Sequence, residues 1–402
     1  MTGSSAPPPV KPGPVDVSLA ATVVGLVAFG VVMVYSASAV YANRMYADGA
    51  HFLVRQTVFA AVAFVVLAIA SQVDLKLIRR LTYPVLLVAV ILMLAVALGF
   101  GKSAGGATRW ISVGPVNVQP AELAKLAMIL WLAHSLAKKA HRVRTFSIGF
   151  LPHVIVMGLL MLLCLAQPDF GSAVMIALLT FVVLFAAGAK AGYLLGGVLV
   201  ALPIGYAAIA SSPYRMRRIR AFLEPFEHRQ GAGYQITESL MSFGSGGWTG
   251  VGLGDSRQKL LFLPEAHTDF VSAIVGEELG FIGVAFLCGA FAWIVVRGLR
   301  AAWRACDEYA GYLAAGMTLF IGLQAFTNLA VAMGLLPTKG LALPFVSYGG
   351  SSLLVNAAAV GLILNVSRYG VERATTDEQV EAKRPRPRRA RPRLRAARGG
   401  AR

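Results

Sequence analysis

Four carboxylates lie close together in the segment LPEAHTDFVSAIVGEELGF, in a chain that contains few acids. The four are Glu265, Asp269, Glu277 and Glu278, and His267 stands between the first two. A carboxylate can take a proton from an attacking hydroxyl group, and an oriented histidine can do the same. The segment leads into an apolar run, where an uncompensated charge is costly. It therefore indicates a solvated rim, a structural ion network or a catalytic site.

Helical geometry separates these acids by direction. If a helix extends back to Asp269, Glu277 lies about 80° around the axis from it, and Glu278 about 180°. Glu277 then shares a cavity with Asp269, whereas Glu278 serves another purpose. Two structural alternatives stay open. Glu277 and Glu278 can form a solvated outer rim, and Asp269 can be a first-turn acid favoured by the helix dipole.

Cations and further polar groups occur in a second segment, GGATRWISVGPVNVQPAELAKL. Its glycines and prolines interrupt helix, and Arg109 precedes Trp110. Glu122 and Lys125 are three residues apart, so on a helix they share a face and can neutralise one another. One interpretation is a structural ion pair inside the bundle. The other is that Arg109, Lys125 and Glu122 contact a substrate with an anionic group.

The long segment Ser211–Thr268 supplies more cations. Arg215, Arg217, Arg218 and Arg220 form a cluster that can bind phosphate or lipid headgroups, and Lys259 ends the glycine-rich stretch GSGGWTGVGLGDSRQK. No strand precedes this stretch, so it does not predict a nucleotide-binding loop. It either wraps a ligand or simply loops over the membrane.

The last polar segment, LPTKGLALPFVSYGGSS, predicts a fixed non-helical loop because prolines and glycines recur in it. Lys339 and Ser351 are its candidate donors to a substrate. No spacing of cysteine and histidine along the chain is typical of a zinc site.

The elements that must position these residues are membrane helices. The chain has 402 residues, of which 57% are hydrophobic and 14% charged, whereas soluble domains are about one quarter charged. We predict an all-α polytopic protein with about ten spans, because each run is close to the roughly 20 residues that cross a bilayer. The runs are Val17–Val40, Phe52–Ala70, Thr82–Phe100, Ala121–Ala137, Leu151–Ala166, Phe170–Ala187, Ala191–Ala210, Leu279–Val296, Gly311–Leu336 and Leu353–Val366.

The distribution of basic residues predicts the orientation. With both termini cytoplasmic, the short inner loops carry eleven lysines and arginines and the short outer loops four, as the positive-inside rule requires. The long loop 211–268, between the seventh and eighth spans, is then extracytoplasmic, and so is Asp269. We divide the chain into a cytoplasmic proline-rich leader (1–16), a membrane domain (17–368) and a basic cytoplasmic tail (369–402).

The tail is expected to be disordered. Residues 383–402 contain ten basic residues, no acid and three prolines, a composition that cannot form a packed core. We expect it to lie near anionic lipid headgroups, with docking to a protein partner as the alternative. Nucleic-acid binding is not expected, because no aromatic residues are interleaved for base stacking.

Together these segments resemble the SEDS proteins (shape, elongation, division and sporulation). The resemblance rests on GATRWI followed by QPAELAKL, on QPDFGSA, on LPEAHTDF with GEELG, and on LPTKGLALPFVSYGGSS, in the family's order. Within the family, MVYSASA and the last of these segments are more similar to the division members than to the elongation members.

The resemblance implies a ten-helix fold and a peptidoglycan glycosyltransferase that polymerises lipid II at the division septum of the bacterial cytoplasmic membrane. It also implies a class B penicillin-binding protein as the cross-linking (FtsI-like) partner, together with other division proteins. Asp269 matches the family's catalytic aspartate. Arg109, Lys125 and Lys259 match positions that line the outer cavity, and Glu265, His267 and Glu277 also match the pattern.

The chemistry of this reaction fits one carboxylate base. Asp269 would take the proton from the 4-hydroxyl of an incoming N-acetylglucosamine, while cations, with or without a divalent metal such as Mg²⁺ or Mn²⁺, stabilise the leaving pyrophosphate. A single displacement inverts the anomeric centre. The rival hypotheses are a lipid II flippase, which needs ionisable groups near the midplane, an elongation-type polymerase, and a scaffold that only binds a partner.

Overall fold

The computed structural model describes residues 13–104, 107–114 and 116–382, which form a helical bundle with one small sheet. The helices are α1 Val17–Tyr46, α2 His51–Ala70, α3 Leu75–Ala95, α4 Pro120–Lys138, α5 Leu151–Ala166, α6 Phe170–Ala186, α7 Ala191–Ala210, α8 Pro213–Leu223, α9 Tyr234–Gly246, α10 Val271–Trp303, α11 Glu308–Ala332 and α12 Gly350–Ala382. The strands are β1 Lys102–Ala104, β2 Ala107–Val113 and β3 Val116–Val118.

Every predicted span coincides with a helix, so the prediction of a helical polytopic membrane protein is confirmed. Within the described ranges, eight helices are long and apolar enough to cross a membrane: α1, α2, α3, α5, α7, α10, α11 and α12. Helix α6 is apolar but shorter. Helix α4 is less apolar because it carries Glu122 and Lys125. The number of ten spans therefore stays a prediction for these last two helices.

Helices α4 and α11 form the centre of the bundle. Most of their residues are buried, and Met128, Leu132, Phe320 and Ile321 are wholly inaccessible. Helix α7 is the opposite case, since none of its residues is buried. Its apolar surface therefore faces lipid, where close packing between helices, rather than exclusion of water, drives association.

Both ends of the membrane domain lie at the same surface of the bundle. The side chain of Asp16 caps α1 by accepting a hydrogen bond from the Leu19 amide at 3.1 Å. The Gly13 amide donates to the Arg368 carbonyl at 3.2 Å. Helix α10 begins near Asp269 and ends at this surface, where Arg297 pairs with Asp16 at 2.7 Å. Asp269 is therefore on the opposite surface from the two ends.

The boundary between the last helix and the C-terminal tail lies later than residue 369, where it was expected. Helix α12 continues to Ala382, so part of the segment expected to be disordered from residue 369 onward is helical. The sequence VERATTDEQVEA is rich in residues of good helix propensity, which extends the last span beyond its apolar part. The leader residues 1–12 and the arginine-rich residues 383–402 lie outside the described residues.

A three-stranded antiparallel sheet, in the order β1-β2-β3, stands where the sequence predicted only a loop interrupted by glycine and proline. The segment TRWISV is rich in β-branched and aromatic residues, which favour strands. Gly114, with φ at +61°, lies at the reversal between β2 and β3. Ser112 Oγ donates to Asn117 Oδ1 across the turn at 2.8 Å.

Helix α10 begins earlier than the predicted Leu279 and is broken inside. It begins at Val271, and Gly280 has φ 62° and ψ −159°. A left-handed φ of this kind favours glycine, and a β-carbon at Gly280 would collide with the backbone of Trp248 and Gly250. The break therefore depends on glycine and on the segment packed against it.

That segment is the glycine-rich stretch of the long loop. The Val251 amide donates to the Glu277 carbonyl at 3.0 Å, and the Phe281 amide donates to the Gly247 carbonyl at 2.9 Å. The glycines thus allow one backbone to lie directly against another. Part of the stretch packs against α10 and supports its break. This arrangement is neither the ligand-wrapping loop nor the simple loop over the membrane that the sequence left open.

Candidate active site

Asp269 lies just before α10, at the surface opposite the chain ends. The helix has its N-cap at Phe270 and no acid in its first turn, so the side chain of Asp269 is not the first-turn acid that the helix dipole would favour. The residue is partly exposed. Among the described residues, none donates a hydrogen bond to its carboxylate, so the oxygens are available to another molecule.

The last loop approaches this carboxylate closely. A β-carbon placed on Gly340 would lie 2.9 Å from Asp269 Oδ2. Such contacts are shorter than real β-carbons make, so glycine at this position leaves the space that the carboxylate occupies. The segment LPTKGLALPF is therefore one wall of the site.

Asn328 of α11 holds the two walls together. Its Nδ2 donates to the Asp269 carbonyl at 2.8 Å and to the Leu341 carbonyl at 2.6 Å. Its Oδ1 accepts a hydrogen bond from Ser272 Oγ at 3.1 Å. No motif in the sequence singled out Asn328, although an amide buried in an apolar helix, like Gln324 four residues earlier, is costly and requires a partner.

The surroundings change the acidity of Asp269. Burial and, second, the negative charge of Glu265 raise its pKa to about 7, and the positive charges of Arg218 and Arg109 limit this shift. A carboxyl group usually ionises near pH 4. A base with a pKa near neutrality is well matched to proton transfer at physiological pH.

The loop before Asp269 is held by backbone and aromatic contacts. Glu265 has φ 56°, and its carbonyl accepts from the amides of Thr268 and Asp269, both at 3.1 Å. The exposed Glu265 side chain accepts from Thr268 Oγ1 at 2.9 Å. The tight turn brings Glu265 close enough to influence Asp269.

His267 packs as an aromatic ring. Its ring centroid is 4.6 Å from that of Phe52, 5.6 Å from that of Tyr41 and 5.9 Å from that of Tyr348. Burial lowers the pKa of His267, and the charge of Glu265 opposes this shift. This shift favours the neutral imidazole, and the ring contacts favour a role in positioning the loop.

Helix α8 divides its arginines between two faces. Arg215 and Arg218 are partly buried, while Arg217 and Arg220 are exposed. Arg218 Nη1 donates to the Thr338 carbonyl at 3.0 Å, and Arg215 lies over the Phe170 ring at 5.5 Å. The inward pair therefore docks α8 against the last loop and α6, with the charge of Arg218 close to Asp269.

Arg109 projects from β2 toward the same region. Its Nη2 donates to the Pro168 carbonyl at 2.5 Å. Its Nε is buried and has no hydrogen-bond partner within the described residues. An unpaired buried N–H is costly unless a ligand satisfies it, so Arg109 is well suited to bind an anion.

Lys339 and Asp169 extend the site beside Gly340. The Lys339 side chain lies against Gly171, at the start of α6. Burial lowers its pKa to about 8, with Lys125 contributing in the same direction and Asp169 opposing. Asp169 caps α6 by accepting from the Ser172 amide at 3.0 Å. Asp169 belongs to the motif QPDFGSA, but no feature of the sequence assigned it a role.

Glu122 and Lys125 form a closed ion pair below the site. Their side chains are 2.7 Å apart, and Lys125 is wholly buried. Lys125 Nζ also lies 5.5 Å from the centroid of the Phe320 ring. This geometry agrees with the structural interpretation, and contact with substrate stays a prediction for both residues.

Glu277, Glu278 and Lys259 do not join Asp269, and the expectation of a solvated rim is wrong. Glu277 and Glu278 are 2% and 0% exposed. Lys259 Nζ pairs with Glu278 Oε1 at 2.8 Å. Ser36 of α1 donates to the same carboxylate at 2.7 Å. The predicted angle between Asp269 and Glu277 required helix from Asp269 onward, but α10 begins only at Val271.

Glu277 instead anchors the loop that carries Lys259. Its carboxylate accepts from Ser256 Oγ at 2.5 Å and from the Arg257 amide at 2.9 Å.

Ser351 also has a structural role. Its Oγ donates to the Asn117 carbonyl at 3.0 Å and accepts from the Gln119 amide at 3.2 Å. It joins the sheet to the start of α12.

The donor set for a metal is limited. The described residues contain no group of three or more histidines, cysteines or acids that could hold an ion. Mg²⁺ is commonly bound by one or two carboxylates together with substrate phosphates. Asp269 and Glu265 are the acids that would take part, and the divalent cation stays a prediction.

Comparison with known proteins identifies the family of the chain. The model of the cell cycle protein family FtsW, RodA and SpoVE matches residues 17–372. A probable peptidoglycan glycosyltransferase FtsW of Trichlorobacter lovleyi is 47% identical over 353 residues, covering 88% of this chain and 93% of the relative. The protein of the same name from Legionella pneumophila is 39% identical, covering 87% and 90%.

Two solved structures share the fold. A chain from a peptidoglycan synthase complex that coordinates polymerization and crosslinking superposes with a TM-score of 0.74 at 28% identity, covering 88% of this chain and 98% of that one. The rod shape determining protein RodA of Thermus thermophilus superposes with a TM-score of 0.65 at 28% identity, covering 88% and 97%.

Proposed function

Because the chain belongs to the FtsW, RodA and SpoVE family of cell cycle proteins, we propose that its Asp269 is the base of a peptidoglycan glycosyltransferase reaction. The chain is a membrane-embedded glycosyltransferase of the FtsW type, in agreement with relatives that carry this name. Its proposed donor substrate is lipid II, a disaccharide-peptide carried on a prenyl pyrophosphate. Its proposed role is synthesis of septal glycan strands in the cytoplasmic membrane.

The proposal rests on two properties of Asp269, its lack of hydrogen-bond donors among the described residues and its raised pKa. Asp269 is partly exposed as a residue, and no described residue donates a hydrogen bond to its carboxylate. Burial and Glu265 raise its pKa to about 7. A carboxylate used only to form a structural ion pair would instead have a lowered pKa. A carboxylate that has no hydrogen-bond donor and a pKa of about 7 is suited to accept a proton, which supports Asp269 as the base.

The proposed step is one inverting displacement. The 4-hydroxyl oxygen of one sugar attacks the anomeric carbon of the other, and the bond from that carbon to the pyrophosphate oxygen breaks. Asp269 accepts the hydroxyl proton, and the pyrophosphate leaves with the bonding electrons. A positioned base typically contributes 10²- to 10⁴-fold to such a rate.

The cations near Asp269 suit the leaving group. Arg109 has an unpartnered buried Nε, and Arg218 and Lys339 lie on the walls formed by α8 and the last loop. Positive charge placed where negative charge develops lowers the barrier. A divalent cation would add charge at the pyrophosphate oxygens, and no step depends on it. Lys125, Lys259 and Arg215 are less suited because the structure engages them internally.

The arrangement of charge bears on the rival functions. A lipid II flippase needs ionisable groups that are reachable from both sides near the midplane. Glu122 and Lys125, the buried pair of α4, are closed off by the surrounding protein. Asp269 and the cations closest to it lie at one surface, which favours an enzyme over a transporter and over a passive scaffold. The names of the relatives favour division over elongation.

The proposed partner is a class B penicillin-binding protein of the FtsI type, which acts with other division proteins. The similar chain from a peptidoglycan synthase complex supports this choice. The proposed site faces the extracytoplasmic side, where the cross-linking partner and the growing wall are found. The basic tail is proposed to lie against anionic lipid headgroups.

Polymerisation of purified lipid II by the purified chain, with and without its transpeptidase, tests the proposal. Asp269→Asn keeps the shape and removes the base, so we expect at least a 100-fold loss of rate with normal expression. Glu227→Gln, at an exposed acid of the same outer loop, should retain the rate. A normal rate for Asp269→Asn would remove this residue from the mechanism. Lipid II translocation in vesicles without polymerisation would favour the flippase.

A further inference from the structure

Two cavities along the seam between α1 and α10 lie far from Asp269. The first, of about 410 Å³, opens at the surface of the chain ends. Its polar lining residues are Asp16, Ser18, Arg297, Arg300, Arg304 and Ser367, and apolar residues lie between them. The second, of about 550 Å³, lies on the lipid-facing side of the same two helices. Arg297 comes 26 residues after the first residue of α10, Val271, a separation of at most about 40 Å along the helix.

The polar cavity carries uncompensated positive charge. Its charged lining residues are Asp16, Arg297, Arg300 and Arg304. Arg297 is neutralised by Asp16, since Arg297 Nη2 and Asp16 Oδ2 are 2.7 Å apart. Within the part of the chain that the structure describes, Arg300 and Arg304 have no such partner and are exposed. The cavity therefore presents a net charge of about +2 toward the plane of the headgroups.

The second cavity is apolar and begins where the first ends. It is lined mainly by Leu26, Phe286, Ala290 and Trp293, together with Gly25 and Gly289. A β-carbon on either glycine would meet no atom within 4 Å, so the absence of side chains leaves an open groove. Its shape suits a hydrocarbon chain running along the seam.

Trp293 joins the two cavities. Its Nε1 donates to Ser18 Oγ at 2.9 Å, and Arg297 lies over its ring at 5.7 Å from the centroid. Ser18 and Arg297 line the polar cavity, and Trp293 lines the apolar one. An indole at the boundary between headgroups and hydrocarbon is typical of the membrane interface.

We propose that the α1–α10 seam is a binding site for an anionic phospholipid of the leaflet opposite Asp269. The phosphate and anionic headgroup bind Arg300 and Arg304, and one acyl chain occupies the groove left by Gly25 and Gly289. Neutral phospholipids fill the same groove but gain less at the headgroup. A transmembrane helix of a partner is the competing occupant, and charge complementarity with Arg300 and Arg304 favours the lipid.

Lipid retention by the intact chain in mild detergent tests the headgroup part. The purified protein is incubated with phosphatidylglycerol or phosphatidylcholine of identical acyl chains, and bound lipid is counted by native mass spectrometry. Arg300→Gln/Arg304→Gln should lower retention of phosphatidylglycerol at least threefold and retention of phosphatidylcholine by a smaller factor. The control Arg142→Gln/Arg144→Gln removes two exposed cations of another loop. Equal losses in the two double variants would overturn the proposal.

Filling the groove tests the acyl-chain part. Gly25→Leu/Gly289→Leu should lower retention of both lipids, whereas Gly158→Leu, at another position where a β-carbon meets no atom, should not. Unchanged retention in the filled groove would overturn the proposal. The proposal would also be overturned if Gly25→Leu/Gly289→Leu retained phosphatidylglycerol normally but no longer copurified with a membrane protein that binds the wild type. The groove would then hold a partner helix. Thermal unfolding in one fixed detergent identifies any variant that fails to fold, and Gly25→Ala/Gly289→Ala then replaces it.

Discussion

Gly340 lies against the carboxylate of Asp269, and a β-carbon at this position would be 2.9 Å from Oδ2. The last loop and the start of α10 thus fit together around one charged group. Asn328 holds both of them by donating to the carbonyls of Asp269 and Leu341. The orientation of the proposed base is therefore determined by contacts between segments that are distant in the sequence.

Replacement of Gly340 should damage activity more than stability. In Gly340→Ala the new methyl group displaces the Asp269 carboxylate, and we expect the polymerisation rate to fall about tenfold, which is the effect of roughly 1.4 kcal/mol on a barrier. Gly349→Ala in the same loop is the control, because its β-carbon would be 3.8 Å from its nearest neighbours. Equal rates for the two variants, measured with purified lipid II, would contradict the fit described here.

The pH profile of polymerisation should report the ionisation of Asp269. The base is active when ionised, and its pKa is about 7. Below that pH the rate should therefore fall about tenfold per unit, and above it the rate should be level. Because Arg218 lowers the pKa of Asp269, Arg218→Gln should move the acidic limb to higher pH. Arg217→Gln, at the exposed neighbour, should leave the limb in place. A limb that does not move in Arg218→Gln would argue against the assignment of the base.

Ionisation of Asp269 should lower the stability of the folded chain as pH rises, whereas ionisation of an acid in a salt bridge would raise it. The folded pKa of Asp269 is raised above its unfolded value near 3.8. Between these values the unfolded state has lost a proton that the folded state keeps, so stability declines as pH rises. Asp269→Asn removes this penalty. Its thermal midpoint should exceed that of the wild type at pH 8, and the difference should vanish near pH 4. A lower midpoint at pH 8 would contradict the raised pKa.

The pair Glu122 and Lys125 should behave as a structural unit. Lys125→Ala leaves Glu122 charged and buried, a change that typically costs about 3–5 kcal/mol. Glu122→Leu/Lys125→Met removes both charges and should recover most of the stability. Thermal unfolding of the single and double variants checks this. If the double variant is stable and inactive on lipid II, Lys125 also serves the substrate.

Lys259 should affect folding rather than substrate affinity. Its Nζ is 2.8 Å from Glu278 Oε1 in a buried pair. Lys259→Ala should therefore lower the thermal midpoint and the yield of folded protein. Arg257→Gln, at the exposed cation two residues earlier, should change neither. A raised KM for lipid II with a normal thermal midpoint in Lys259→Ala would instead support the position of Lys259 in the outer cavity.

The amino-acid sequence by itself determined the helical membrane class, because apolar runs long enough to cross a bilayer need no tertiary information to be recognised. It also singled out Asp269 and Arg109 by residue type and by motif. It predicted neither the sheet β1-β2-β3 nor the helices α8 and α9 inside the long loop. Short elements of this kind depend on the surfaces against which they pack.

The tertiary structure alone decided which polar residues share a site. Spacing along the chain predicted that Glu277 would face Asp269, but α10 begins only at Val271, and the Glu277 carboxylate instead accepts a hydrogen bond from the neighbouring loop at Arg257. The sequence likewise contained no signal that would bring Gly340 and Asn328 to Asp269. Contacts between distant segments depend on the packing of whole helices, and a periodicity within one segment cannot encode them.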